Sequence, residues 1–479
     1  MTDELPATGA SPTTGTLPAD PPEPWTRLVP PPLRPIAARF LPQGALLLAV
    51  VTFGSYLMGL VRDVVQARTF GAGAELDAYL AAFAIPEIAL GVLVASGLSA
   101  PFVPIFLSLR TRDDRAAQEF AGTILTLALL IIGLATPVLW LIAPLTVDFV
   151  ARGFTPEQRD LYTDLFRLML VTPVLFALSD VLGEVLVAER RFLGYALAPV
   201  LYNAGIVVGM VLFAGAIGIY AGAVGAILGA LAHVGIRLLW LRGSSVRFRI
   251  ALRVRTQAFR EFVGLMIPKM ASHPIDPLTF TVLGSLASTV AVGGITSLSL
   301  ARNFQSVPVS VIAVSFALAV FPTLSAAAAA GDRAAFRRIL VRNGVTILVL
   351  TIAAAIALAV LSRFVIQLFF RGGEFTQEAV ERTNLVLVLL AVAIPFESLT
   401  HLLSRAIYAT RNTLLQVLAS VASFAVVVVA ANVLTPSIGL AAIPIAFGLG
   451  MAVKVGLLVL ALVPRIRSIR PAPDLSRPA

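Results

Sequence analysis

The chain contains no cysteine, which excludes disulfides and thiolate metal sites. Its three histidines are scattered in sequence, so no zinc centre is expected and no metal ligands are assigned. No Gly-x-x-x-x-Gly-Lys-Ser/Thr stretch occurs, which rules out ATP hydrolysis through a P-loop in this chain. Charge is scarce as well. Asp, Glu, Lys and Arg make up 13% of the residues, about half the ~25% of an average soluble domain. The first residues lack a basic stretch followed by an apolar one, so no cleavable signal peptide is expected.

Apolar residues take the place of what is missing: they make up 58% of the 479 residues, and mean hydropathy is +0.92. Many runs approach the ~20 residues a helix needs to cross a ~30 Å hydrocarbon core. Backbone in hydrocarbon must satisfy its own hydrogen bonds, so such runs are helices. The expected fold is an all-α polytopic membrane protein with about twelve transmembrane helices. Hydropathy places them near 41–65, 78–107, 119–148, 161–188, 194–215, 217–241, 258–285, 288–326, 337–370, 379–409, 412–434 and 438–464. Residues 1–40, rich in Pro, Thr, Ala and Gly, read as a disordered tail.

The net charge of +10 would suggest nucleic acid in a soluble protein. Here the arginines gather in alternate loops, such as Arg110, Arg112 and Arg115, Arg190 and Arg191, and Arg333, Arg337 and Arg338. That is the positive-inside pattern. It predicts two cytoplasmic termini and no nucleic-acid partner.

The sequence also repeats itself. "FVPIFLSLRTRDDRAA" at 102–117 matches "VFPTLSAAAAAGDRAA" at 320–335, aligning Pro104 with Pro322 and Asp114 with Asp332. "GFTPEQ" at 153–158 matches "EFTQEA" at 374–379, and "LVAERRF" at 186–192 matches "IYATRNT" at 407–413. The spacing predicts two six-helix lobes related by a pseudo-two-fold axis along the membrane normal, with a central cavity between them. The expected organisation is an N-terminal lobe over 41–241, a basic linker over 242–257, a C-terminal lobe over 258–465 and a tail over 466–479.

Ionisable residues inside a span are costly and are candidate functional groups. Arg62 lies about 21 residues into the first span, or roughly 31 Å at 1.5 Å per residue. That depth fits either a snorkelling helix end or a cavity position. Asp77 opens the second span, where it would cap that helix or pair with Arg62. Glu87 follows Pro86, which is expected to bend the helix; it would bind a cation, line the cavity or face a neighbouring helix. "MIPKMASHPIDPLTF" puts Lys269, His273 and Asp276 among three prolines and predicts a broken seventh span. His273 or Asp276 would suit a coupling proton. Arg302 lies mid-span in the eighth helix, and Glu397, His401 and Arg405 form one stripe on the tenth. Lys454 is mid-membrane in the twelfth. Cations from both lobes facing one cavity suit a phosphate-bearing substrate.

"GLVRDVVQARTFGAGAELDAYLAAFAIPE" with "SAPFVPIF", "RRFLGYALAPVLYN", "LARNFQSVPVSVIAVSFALAVFPTLS" and "LFFRGGEFTQEA" together resemble the MurJ (MviN-type) lipid II flippases. These belong to the multidrug/oligosaccharidyl-lipid/polysaccharide exporter superfamily, and the likeness runs over residues 40–465. The resemblance implies a non-enzymatic flippase of the bacterial cytoplasmic membrane, needing no cofactor and driven by membrane potential or an ion gradient. It would carry lipid II, an undecaprenyl-diphosphate-linked peptidoglycan precursor, from the inner to the outer leaflet. A monomer is expected to suffice. Arg62, Asp77 and Arg302 fall on family positions for the diphosphate, and Lys269 stands where relatives often have Arg. Tyr56 and Leu90 stand where the family has further arginines, Glu87 replaces a usual Asn, and Ala95 replaces a usual Glu. Two C-terminal helices common in the family have no room here. These departures leave three alternatives: a flippase for another polyprenyl-diphosphate-linked saccharide, a multidrug/cation antiporter of the same superfamily, or a membrane scaffold.

Overall fold

A computed structural model describes residues 45–469, except 245, 247, 249, 273 and 411. The Pro-rich stretch 1–40, His273 and the side chain of Lys269 therefore lie outside the described residues. Residues Val51–Ala479 form one unit; Met1–Val50 form another, of which only the opening of the first helix is described.

The first repeat consists of α1 (Ala45–Phe70), α2 (Ala74–Leu90), α3 (Ser96–Arg110), α4 (Asp114–Val150), α5 (Pro156–Met169), α6 (Val171–Ala188), α7 (Phe192–Ile217) and α8 (Tyr220–Leu241). The second consists of α9 (Gln257–Ser272), α10 (Ile275–Val290), α11 (Gly294–Pro308), α12 (Ser315–Ala329), α13 (Arg333–Phe370), α14 (Gln377–Ala409), α15 (Leu414–Ile438) and α16 (Ala442–Ser468). Among the described residues nine stretches are long and apolar enough to cross a membrane, against the twelve expected. One of the nine, Leu414–Ser468, holds two helices, and α10 is apolar but only 16 residues long.

The duplication seen in the sequence recurs in backbone detail. A π-helical turn joins α2 to α3 at Gly91–Ala95, and another joins α11 to α12 at Val309–Val314. Pro86 therefore does not break its helix; the irregularity follows it as a π turn. Thr155 caps α5 and Thr376 caps α14. Gly218 and Gly439 end α7 and α15 with nearly the same dihedrals, φ 56° with ψ −139° and φ 58° with ψ −136°. The cap of α4 is Asp113, which accepts from the N–H of Arg115 at 2.8 Å. Asp332 caps α13 in the same place, so at this cap the correspondence falls one residue from the sequence alignment.

In lipid, helices gain little from the hydrophobic effect and associate where small residues let them approach. The α7–α8 hairpin shows this. Gly205 and Gly209 meet Gly229 and Gly225, and a Cβ at Gly205 would lie 2.3 Å from the Cα of Gly229.

The predicted break in the seventh span lies between α9 and α10, with Pro274 at the start of α10. Its two halves belong to different neighbourhoods. Phe262 of α9 packs into the apolar cluster of α3 and α4, with its ring 5.8 Å from that of Phe120. α10 packs against α11 and α15. Thus α9, grouped by spacing with the second repeat, rests on the first.

Candidate functional site

A cavity of about 510 Å³ opens between the two repeats. α1, α2 and α7 line it from the first, and α10 and α11 from the second; Arg62, Glu87, Tyr202, Phe280, Arg302 and Asn303 are among the lining residues.

Arg62 does not end its helix, because α1 continues to Phe70. It faces the cavity instead. Its Nε and Nη2 donate to Asp63 Oδ1 at 3.0 and 2.7 Å, and Nη1 donates to Asn203 Oδ1 of α7 at 3.0 Å. The other oxygen of Asp63 accepts from Asn303 Nδ2 of α11 at 2.7 Å. A continuous polar chain, Asn203–Arg62–Asp63–Asn303, therefore ties one repeat to the other.

Arg302 sits nearly two turns before the end of α11. Its Nη1 and Nη2 donate to the two oxygens of Glu397 on α14 at 2.8 and 2.7 Å, the bidentate geometry that suits a guanidinium. Nη1 also donates to Gln305, whose Nε2 donates to Glu397 at 2.8 Å. The guanidinium carbon lies 4.4 Å from the centre of the Phe280 ring and 5.3 Å from that of Phe447, close enough for cation–π attraction.

Each cavity arginine thus carries its own carboxylate. Glu87 adds a third carboxylate, exposed to the cavity and without a hydrogen bond to a described residue.

Asp77 takes neither of its expected roles. The residue before its helix is Gly73, and no side chain caps that end. Nor does Asp77 meet Arg62. It is buried and serves the other repeat: Oδ2 accepts from the N–H of Gly293 at 2.8 Å, and Oδ1 accepts from the N–H and hydroxyl of Thr296, both at 2.7 Å. A carboxylate is well placed there, where the first N–H groups of α11 lack helical partners. Neighbouring contacts strengthen the junction. Glu374 N–H donates to the carbonyl of Arg68 at 2.9 Å, and Gly153 N–H to Ser288 Oγ at 3.1 Å. One end of the cavity is sealed by these contacts.

The other expected residues lie elsewhere. Asp276 is exposed in the first turn of α10 and does not line the cavity. Lys454 is buried within the second repeat, away from the lining, which corrects its placement among cavity cations. The position of Tyr56 is exposed and also off the lining, while Leu90 packs with the α3–α4 cluster. A separate polar group lies inside the first repeat. The Arg237 guanidinium donates to the Ser179 carbonyl and to Asp180 at 3.3 Å, and Ser179 meets His233 Nδ1 at 2.7 Å.

Asp63, Asn203, Asn303 and Gln305 were missed from the sequence. Two clues were present: Asp63 adjoins Arg62, and Asn303 adjoins Arg302. Glu397 was recognised as part of a stripe but not as a partner for Arg302.

Comparison with known proteins bears on this architecture. The family model described as lipid II flippase MurJ matches residues 66–472. The probable lipid II flippase MurJ of Thermotoga maritima is 27% identical over 365 residues, covering 75% of this chain and 72% of that one. Among solved structures, a lipid II flippase MurJ in an inward closed conformation aligns with TM-score 0.75 at 22% identity, covering 88% of this chain and 90% of that one. An inward-facing multidrug resistance MATE family transporter of the MOP superfamily aligns with TM-score 0.72 at 16% identity, covering 88% and 98%. At these identities the structural likenesses establish the two-lobe transporter fold, and the sequence match establishes kinship: the chain is a multi-pass membrane protein that belongs to the lipid II flippase MurJ family.

Proposed function

We propose that this protein moves lipid II from the inner to the outer leaflet by alternating access. The observation that carries the reading is a cavity shared by both repeats, with one arginine from each, in a chain of this family. In this reading the diphosphate lies between Arg62 and Arg302, where guanidinium groups offer paired N–H donors. The saccharide fills the remaining polar space, and the lipid tail trails between the repeats.

The positive-inside pattern supports two cytoplasmic termini, which makes the sealed end the outer one. The cavity then loads from the cytoplasmic side. Rocking of the repeats breaks the Asp77 junction and opens the far end. No bond is made or broken, so the driving force comes from membrane potential or an ion gradient.

The experiment is rescue of bacteria depleted of their own lipid II flippase. Wild-type protein restores growth, and Arg62→Ala and Arg302→Ala do not, at equal membrane abundance. Failure of the wild type to rescue removes the lipid II assignment. Full rescue by both variants removes the diphosphate clamp.

A further inference from the structure

The free edge of Arg302 is the starting point. Both Nη1 hydrogens and one on Nη2 are committed to Glu397 and Gln305. Nε–H and the second Nη2–H have no acceptor among the described residues. Those two donors form the side edge of a guanidinium, which matches two phosphate oxygens. Glu397, however, occupies the adjacent Nη1–Nη2 edge and balances the charge of Arg302. Arg62, across the cavity, is already balanced by Asp63, so a diphosphate at the free edge would bring two further negative charges to a guanidinium whose charge Glu397 already balances, in a partly buried site where water screens them less than in solution.

Glu87 adds a further carboxylate to the cavity lining, and the surroundings of Glu397 offer little compensation. His401 lies one turn further along α14, within electrostatic reach of Glu397, Lys454 and Asp276. Helices α12 and α15 carry no ionisable side chain, and neither does the middle of α13, residues 343–362. On α10 the only ionisable residue is Asp276, and on α11 only Arg302. On α16 Lys454 is the one ionisable residue away from the helix end.

We propose that Glu397 binds a proton as the substrate diphosphate binds Arg302, so that each substrate loaded carries one proton into the site. The protonated acid stays in place and changes from acceptor to donor, leaving the guanidinium with its full positive charge for the phosphate. Substrate release returns Glu397 to its ion pair and expels the proton. This inference rests on the flippase reading above.

The test uses the purified full-length protein and farnesyl-diphospho-N-acetylglucosamine. Its diphosphate is esterified at both ends and so lacks the second phosphate ionisation near about pH 6. Binding is followed by calorimetry in buffers of different ionisation enthalpy. Wild-type protein takes up about one proton per ligand, and its Kd rises by up to about tenfold per pH unit. Glu397→Gln binds with no proton uptake and a flat pH profile, whereas His401→Gln keeps the uptake. Binding by the wild type without proton uptake overturns the proposal while leaving the flippase reading intact, and it needs no variant to fold. Unchanged uptake in Glu397→Gln, or uptake lost in His401→Gln alone, overturns it as well. A wild type that does not bind the probe at all overturns diphosphate binding at Arg302 and this proposal with it, while the rescue experiment above decides the flippase reading separately.

Discussion

Asp77 and Gly293 lie 216 positions apart, yet the carboxylate of one accepts the backbone N–H of the other at 2.8 Å. The contact joins the two repeats at the sealed end of the cavity. It replaces the unmet N–H groups of a helix start with a charged acceptor from another lobe. Opening the cavity at that end requires it to break.

Replacing Asp77 with Asn removes the charge and leaves one acceptor oxygen for three donors. Charge-assisted hydrogen bonds are worth about 1.5–3 kcal/mol, so the sealed state weakens by roughly tenfold or more. The chain has no cysteine, so a pair introduced at Arg152 and Thr289, flanking the seal, gives a clean cross-linking readout. Asp77→Asn should lower the cross-linked fraction markedly; an unchanged yield would show that the junction does not hold the seal.

Gly293 separates two costs of substitution. Its φ is +80°, and a Cβ there would lie 1.9 Å from the Ala72 carbonyl oxygen. Gly218 has φ +56° but open space around it. Gly218→Ala should cost only backbone strain, about 1–3 kcal/mol, because φ 56° with ψ −139° is a conformation that few residues but glycine adopt. Gly293→Ala should cost more and should also reduce cross-linking at the seal. Thermal unfolding in detergent, run on both variants, distinguishes them.

Asp63 holds Arg62 with one oxygen and Asn303 with the other. Asp63→Asn and Asn303→Ala should each impair growth rescue, and the double variant should be barely worse than the worse single one. Residues sharing one network couple by about 0.5–3 kcal/mol. Simple additivity in a transport assay would mean that the two act independently.

Arg237 predicts a stability effect without a transport effect. It is 4% exposed, and a Cβ on Gly183 would lie 2.7 Å from its Nη1. Breaking a fully buried pair by removing one partner costs about 3–5 kcal/mol; Asp180 keeps 28% of its side chain exposed, so the cost here should be smaller. Arg237→Ala and Gly183→Ala should both lower the unfolding temperature. Neither residue lines the cavity, so transport per folded molecule should be retained; its loss would give this network a direct role.

Much of the cavity could be read from residue type and depth. Arg62, Glu87 and Arg302 stood out because charge inside a span is costly, and all three line the cavity. Lys454 obeyed the same rule yet points into the packed interior of its own repeat. Depth along a helix says nothing about azimuth relative to neighbours. The partners were hidden for a related reason. Glu397 lies 95 positions from Arg302, and no periodicity links residues on different helices.

By itself the sequence determined that the chain is a duplicated bundle of membrane helices, because hydrocarbon admits only backbones that satisfy their own hydrogen bonds. It also determined where the seventh span breaks, because proline removes a donor and clashes with the preceding turn. Tertiary structure alone decided that both cavity arginines are paired, that α9 rests on the first repeat, and that Asp77 caps a helix of the second. Those outcomes depend on which faces and ends meet across the packed lobes. A helix start left short of acceptors, or a guanidinium short of a counter-charge, takes whichever group the packing brings within reach.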